Sequence, residues 1–273
     1  MRSFFVFIIL LFTITLTNSQ TKMYINKLSG GTDSIRVDSI KSITFKSFSA
    51  FPTQGLVAYF PFNGNVKDSS GNGNNGTNNG GTFTTDRFGG TLKALGFNGS
   101  SSYVQIPWKT QLQPNAGSFS FCGWFKITYI DTSKQDFFLL SMDDGDSDYS
   151  GYSLWWDNAQ TKIYASFHYD DVWTHGTSVS SSSAALKSGW HFFAGVLDRT
   201  SVNMHLYLDG ILVGSSSIDP QSITSTKSDL YFGRRPYIPS YEQLFNGSLD
   251  DIRIYNRALN TSEIQALYHE GGY

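Results

Sequence analysis

The stretch Ser248–Leu259, SLDDIRIYNRAL, places two carboxylates, Asp250 and Asp251, at the head of a run patterned like a strand. Side chains alternate along a strand. Strict alternation puts Asp250 on one face with Ile252 and Ile254, and Asp251 on the other with Leu249, Arg253 and Tyr255. The isoleucine face is the expected core face, so Asp250 needs a cation or several hydrogen-bond donors. Asp251 has Arg253 as a solvated partner on its own face, a kind of pair that contributes about 0–1 kcal/mol. A second stretch, FNGNVKDSSGNGN, carries Asn63, Asp68, Asn72 and Asn74 among glycines that allow tight backbone turns. Ca²⁺ takes about six to eight oxygens. The expectation is a structural Ca²⁺ held by Asp250 with oxygens of Asn63, Asp68, Asn72 and Asn74. The plainer alternative is that Asp250 accepts backbone N–H bonds and the Asn/Gly stretch simply turns. A further acidic run holds Asp143, Asp144, Asp146 and Asp148. It fails the EF-hand pattern, because a loop begun at Asp144 has Tyr149 and Trp155 where Gly and Glu are required. It reads as a solvated hairpin tip.

Aromatic side chains offer a different chemistry. YSLWWDN sends Trp155 and Trp156 to opposite faces of one strand, one to the core and one outward. SFHYDDVWTH adds His168, Tyr169, Trp173 and His175. Sugars present apolar C–H faces rimmed by hydroxyls, which aromatic platforms beside Asp, Asn and His suit. The expected glycan contacts are Trp156, Tyr169, Trp173 and His175; ordinary sandwich core and an aromatic loop are the alternative for each. The lone cysteine, Cys122, has no internal disulfide partner and reads as a small buried apolar group. No G-x-S-x-G, H-E-x-x-H or phosphate-binding loop is present.

The elements that must position these groups are β-strands. Charged residues make up 15% of the 273, against about 25% on average. Aromatics reach 16%, and Gly, Ser and Asn are frequent, which points to an all-β domain. The net charge of −2 gives no electrostatic footprint for nucleic acid. Runs such as GLVAYFPF, SFSFCGWFKIT, WHFFAGVLD and SLDDIRIY recur between turn signals, as in a sandwich or barrel. Asp209-Gly210, between two apolar runs, predicts a type I′ hairpin. Only Asn260–His269 reads as helix, with Asn260 as N-cap, Glu263 closing a capping box and Ile264, Leu267 and Tyr268 as the apolar stripe. At the N-terminus, Arg2 precedes the apolar run Phe4–Leu16, FFVFIILLFTITL, which is short of the roughly 20 residues of a spanning helix. It reads as a signal peptide over residues 1–19, implying export with no stable membrane insertion. Residues 20–50 hold three short β-type runs and form a small segment or spacer before a domain over 51–273.

Five blocks, in order, carry a family resemblance. They are GLVAYFPFNGNVKDSSGNGNNGT, ALGFNGSSSYVQIP, SFSFCGWFKI, GWHFFAGVLD with MHLYLDGILVG, and FNGSLDDIRIYNRALNTSEIQALY. Together they resemble a laminin-G-like, concanavalin A-like jelly-roll domain over about residues 51–273. The resemblance implies a two-sheet antiparallel jelly-roll sandwich with a short C-terminal helix. It implies that the first and last strands lie together, bringing the Asn/Gly stretch near Asp250. It also supplies a precedent for structural Ca²⁺ at the position of Asp250. Glycosidases on this fold carry Glu and Asp alternating along one strand, and none of Glu242, Glu263 and Glu270 lies on such a strand here. His191, in GWHFF, is better explained by packing or hydrogen bonding than by catalysis. The expected function is a secreted, non-catalytic module binding a glycan. The alternatives are a protein-interaction or adhesion module with an extracellular protein ligand, and a glycan lyase or hydrolase, with lyase chemistry around His168, Tyr169 and His175.

Overall fold

The structure, a computed structural model, describes residues 22–26, 32–36, 51–133, 136–143, 150–168, 177–182, 186, 189–218, 227–235 and 244–272. The chain divides into two units, Met1–Phe48 and Ser49–Tyr273. In the first, strands β1 (Lys22–Asn26) and β2 (Thr32–Arg36) form an antiparallel hairpin. The expected signal peptide and the third β-type run of residues 20–50 lie outside the described residues.

The second unit is a two-sheet sandwich with every strand pairing antiparallel. One sheet has seven strands. From edge to edge it runs β12 (Thr177–Ser182), β11 (Lys162–His168), β10 (Gly151–Asp157), β9 (Asp136–Asp143), β16 (Leu230–Phe232), β7 (Tyr103–Ile106) and β4 (Thr77–Asn79). The other has eight. Its path is β15 (Ile211–Ser217), β14 (Asn203–Leu208), β13 (His191–Asp198), β8 (Phe119–Ile127), β17 (Asn246–Tyr255), β6 (Ala94–Asn98) and β5 (Thr82–Thr84), and β3 (Leu56–Phe60) also pairs β17. The first and last strands of the sandwich are therefore neighbours, as the resemblance implied.

Period-2 alternation builds the core between the sheets. Tyr152, Leu154 and Trp156 of β10, Ile163, Ala165 and Phe167 of β11, and Phe119, Phe121 and Phe125 of β8 all point into it. The eight-stranded sheet buries its other face too. Cys122 and Trp124 of β8 and Phe192, Ala194 and Val196 of β13 pack with Leu259, Ile264 and Leu267 around helix α1 (Thr261–Tyr268). Burial on both faces is why these strands read as unbroken apolar runs rather than alternating ones. The helix carries the expected capping box between Asn260 and Glu263. Asp209 and Gly210, with φ 48° and 75°, make the predicted hairpin turn. The Gln265 amide fastens this turn to the helix through the Gly210 carbonyl at 2.6 Å. His191 lies beside it, its Nδ1 2.9 Å from Asp209 Oδ2, in a structural contact. Cys122 is fully buried, and burial pushes its thiol up to about 12.

Candidate functional site

The two carboxylates of β17 do not separate onto opposite faces. The pairing of β17 with β8 shifts by one residue between Asp250 and Arg253, and Asp251 sits at φ 50°. A β-bulge inserts one residue on one strand and resets the alternation. Leu249, Ile252 and Ile254 therefore face the inter-sheet core, whereas Asp250 does not join the isoleucine face. Both carboxylates reach the guanidinium of Arg87, whose Nη1 lies 2.6 Å from Asp250 and 2.8 Å from Asp251. Asp251 also accepts from the Tyr59 hydroxyl at 2.6 Å and stands 3.7 Å from Arg253. The expected solvated Asp251–Arg253 pair is instead part of a sealed cluster, since Arg253 is fully buried and bonded to Glu270 at 2.8 Å. Aromatic rings clasp both arginines. Arg87 lies 4.3 Å from the Phe88 ring centroid and 4.7 Å from that of Trp124; Arg253 lies 4.4 Å from Phe51 and 4.2 Å from Tyr59. Burial, reinforced by Asp251, lifts the Asp250 carboxyl well above its ordinary range even with Arg87 beside it.

The Asn/Gly stretch is organised around an anion of its own. Asp68 accepts from the backbone N–H groups of Tyr59, Ser70 and Asn74 and from the Asn74 amide, at 2.8–3.0 Å. Burial works to raise its pKa, but these bonds outweigh it and hold the carboxyl below its usual value. Asn72 and Asn74 donate to the Val57 carbonyl at 2.9 Å, and the Asn63 carbonyl accepts from Asn65 at 3.0 Å. Of the residues expected to hold Ca²⁺, Asp68 is gathered by N–H donors, and Asp250 faces a guanidinium whose charge opposes a second cation. The set does not fit a calcium ion. The signal missed was Arg87, which no spacing links to Asp250.

The aromatic prediction is corrected in phase. Trp156 is fully buried, stacked on Phe137 at 5.9 Å in the core, and has no face for a sugar. Trp155 is the outward tryptophan. Tyr169, Trp173 and His175, like Asp144, Asp146 and Asp148, lie outside the described residues. On the outer face of the seven-stranded sheet, Trp155 pairs directly with Tyr164 of β11 and Phe138 of β9. Its ring stacks on theirs at 4.5 Å with a 12° tilt, and at 5.8 Å with a 16° tilt. The row continues across the sheet: Arg235 lies 5.2 Å from the Phe138 centroid, and Arg234 lies 4.5 Å from Tyr103 and 5.4 Å from Tyr231. Tyr164, Trp155, Tyr231, Tyr103 and both arginines are half-buried, leaving part of each surface open.

Polar groups flank the row. Ser153 and Ser166 face each other across β10 and β11, their hydroxyl oxygens 2.7 Å apart. Asp143 is buried and bonded to Arg235 at 2.7 Å. Burial, with Arg235 adding to it, holds His168 down to about 4, so its ring is neutral at pH 7. Burial and the neighbouring Asp157 charge raise Asp136 to about 6. Asp136 and Asp157 are direct cross-strand partners on one side of the row, and Asp157 accepts two bonds from Gln160.

The family model of the concanavalin A-like lectin/glucanases superfamily (Laminin_G_3) matches residues 98–265. The chain belongs to that superfamily. No curated protein matches this superfamily member. Among solved structures, it is similar to the binding domain of botulinum neurotoxin DC in complex with SialylT, at 14% identity and TM-score 0.64, covering 80% of this chain and 52% of that one. It is also similar to the binding domain of Paraclostridial Mosquitocidal Protein 1, at 18% identity and TM-score 0.63, with 79% and 52% covered. A third is the binding domain of botulinum neurotoxin DC in complex with rat synaptotagmin II, at 16% identity and TM-score 0.61, with 79% and 51% covered. The chain spans about half the length of these structures, and the likeness establishes the jelly-roll fold of this superfamily domain.

Proposed function

We propose that this domain is an exported, non-catalytic module that binds a glycan on the outer face of its seven-stranded sheet. The observation that carries the reading is the cross-strand row Tyr164–Trp155–Phe138, continued by Arg235 and flanked by Ser153, Ser166 and His168. Trp155 and Tyr164 are part-exposed while Phe138 is buried, so the open edges of this stack can lie against sugar C–H groups, with hydroxyl, imidazole and guanidinium groups nearby for their hydroxyls. The lectin membership of the superfamily and the SialylT complex of a related toxin domain support the same ligand class. The non-catalytic reading is supported by the carboxylates' own partners: Asp143 is bonded to Arg235, and Asp157 accepts two bonds from Gln160. Export is supported by the apolar run Phe4–Leu16.

The test is a glycan array of the full chain beside Trp155→Ala. The wild type retains a defined glycan set, and Trp155→Ala weakens those signals at least tenfold. Unchanged binding of the variant to a confirmed ligand refutes the site. A protein ligand is favoured by one separate observation: Ile211 and Leu212 are both exposed on the edge strand β15. An array without hits, together with an extracellular protein whose binding is lost in Leu212→Lys, would decide for that reading.

A further inference from the structure

A cleft of about 220 Å³ that shares no lining residue with the aromatic row is lined by Ser100, Tyr129, Asp131, Phe137, Leu244 and Asn246, among others. Its floor is Phe137, a core ring stacked on Phe245 at 5.8 Å and on Trp156 at 5.9 Å. Its wall is Tyr129, which is 61% exposed. The Tyr129 backbone is nevertheless fixed, because the Asn246 carbonyl accepts from both Thr128 and Tyr129, at 3.1 and 3.4 Å. The Asn246 amide donates to the Asn98 carbonyl at 3.3 Å, which turns its own carboxamide oxygen to the other side. Gly99, at φ 70°, keeps this wall thin: a Cβ there would stand 2.7 Å from the Asn246 Cβ. The Asp131 carboxylate is oriented by Ser133, and its backbone carbonyl is held by Asn158 at 2.9 Å. An apolar floor, one rigidly mounted aromatic face and a few fixed polar groups are the composition of a small-ligand site.

We propose that this cleft is a second glycan site, which holds one neutral pyranose ring with its C–H face on Tyr129 and its hydroxyls toward Asn246, Ser100 and Asp131. The volume sets the size, since pockets for drug-sized ligands span about 300–1,000 Å³. The charge sets the class, since among the described lining residues Asp131 is the charged one and repels an acidic sugar. The site does not depend on the aromatic row. Phe137 and Phe138 are successive residues of β9 that point to opposite faces, so one strand serves both.

Saturation-transfer NMR on the full chain tests this with the methyl pyranosides of glucose, galactose, mannose and N-acetylglucosamine as probes. At least one pyranoside receives saturation. Tyr129→Ala raises its dissociation constant at least tenfold with no change in thermal midpoint, Tyr129→Phe retains it, and Trp155→Ala leaves it unchanged. Transfer to none of the four sugars, transfer that survives Tyr129→Ala, or transfer lost in Trp155→Ala instead would each overturn the proposal. The last result would assign the binding to the aromatic row, and a failed cleft leaves the array result for Trp155 standing.

Discussion

The two outer faces of the sandwich use the same device to opposite ends. On the eight-stranded sheet, Arg87 and Arg253 lie against aromatic rings with almost no solvent exposure, closed in beneath the helix and the chain termini of the domain. On the seven-stranded sheet, Arg234 and Arg235 also lie against rings, but these stay part-exposed. Cation–π contacts contribute about 0.5–1 kcal/mol when exposed and about 2 or more when desolvated. A sealed stack is therefore a fastening, and an open one is a surface with affinity left to spend on a ligand. Cover, rather than residue type, decides which role the motif has.

Arg87→Met should produce the largest effect that bears on this contrast. Removing one partner of a buried ion pair costs about 3–5 kcal/mol. Urea unfolding should show that loss, with glycan retention intact on the remaining folded fraction; a loss below about 1 kcal/mol would break the comparison. Next is the acid limb of stability. His168 takes a proton near 6.5 when unfolded and near 4 when folded. Its contribution is present above 6.5 and is lost as pH falls through 4, up to about 3 kcal/mol. His168→Gln should flatten the stability profile between those values. Asn260→Ala removes the helix cap and should cost about 1 kcal/mol, loosening the cover of the closed face; hydrogen exchange at Cys122 and Trp124 should rise without change at Trp155. Trp155→Ala removes a stack that contributes about 0.5–1.5 kcal/mol beyond its buried area and should weaken glycan retention at least tenfold. The smallest effect is none: EDTA and added Ca²⁺ should leave the melting midpoint unmoved.

Alternation along the strands was legible in the sequence, and with it the sandwich, the Asp209-Gly210 hairpin and the capped helix. The phase of alternation was not always so. YSLWWDN offered a clue in its polar members, because Ser153 and Asp157 share a face with Trp155 and mark it as outward. The carboxylates of β17 offered none. A bulge at Asp251 is a backbone event that shifts every later residue, and an aspartate with positive φ has no spacing signature. Arg87 was equally hidden, since its partners stand 163 and 164 positions away. What the sequence does show is an unpaired charge in need of a cation. Whether that cation is a metal or a side chain depends on a loop whose docking only the fold supplies.

The position of β17 has a consequence for how the molecule comes to exist. Residues 246–255 pair with 120–127, with 95–98 and with 56–60, so the strand that joins the eight-stranded sheet is among the last of the domain to be made. Pairings this distant in sequence make folding slow, and until they form, β8 and β6 lack the strand that joins them. Strands left without a neighbour are an aggregation hazard while the chain waits for its last strand.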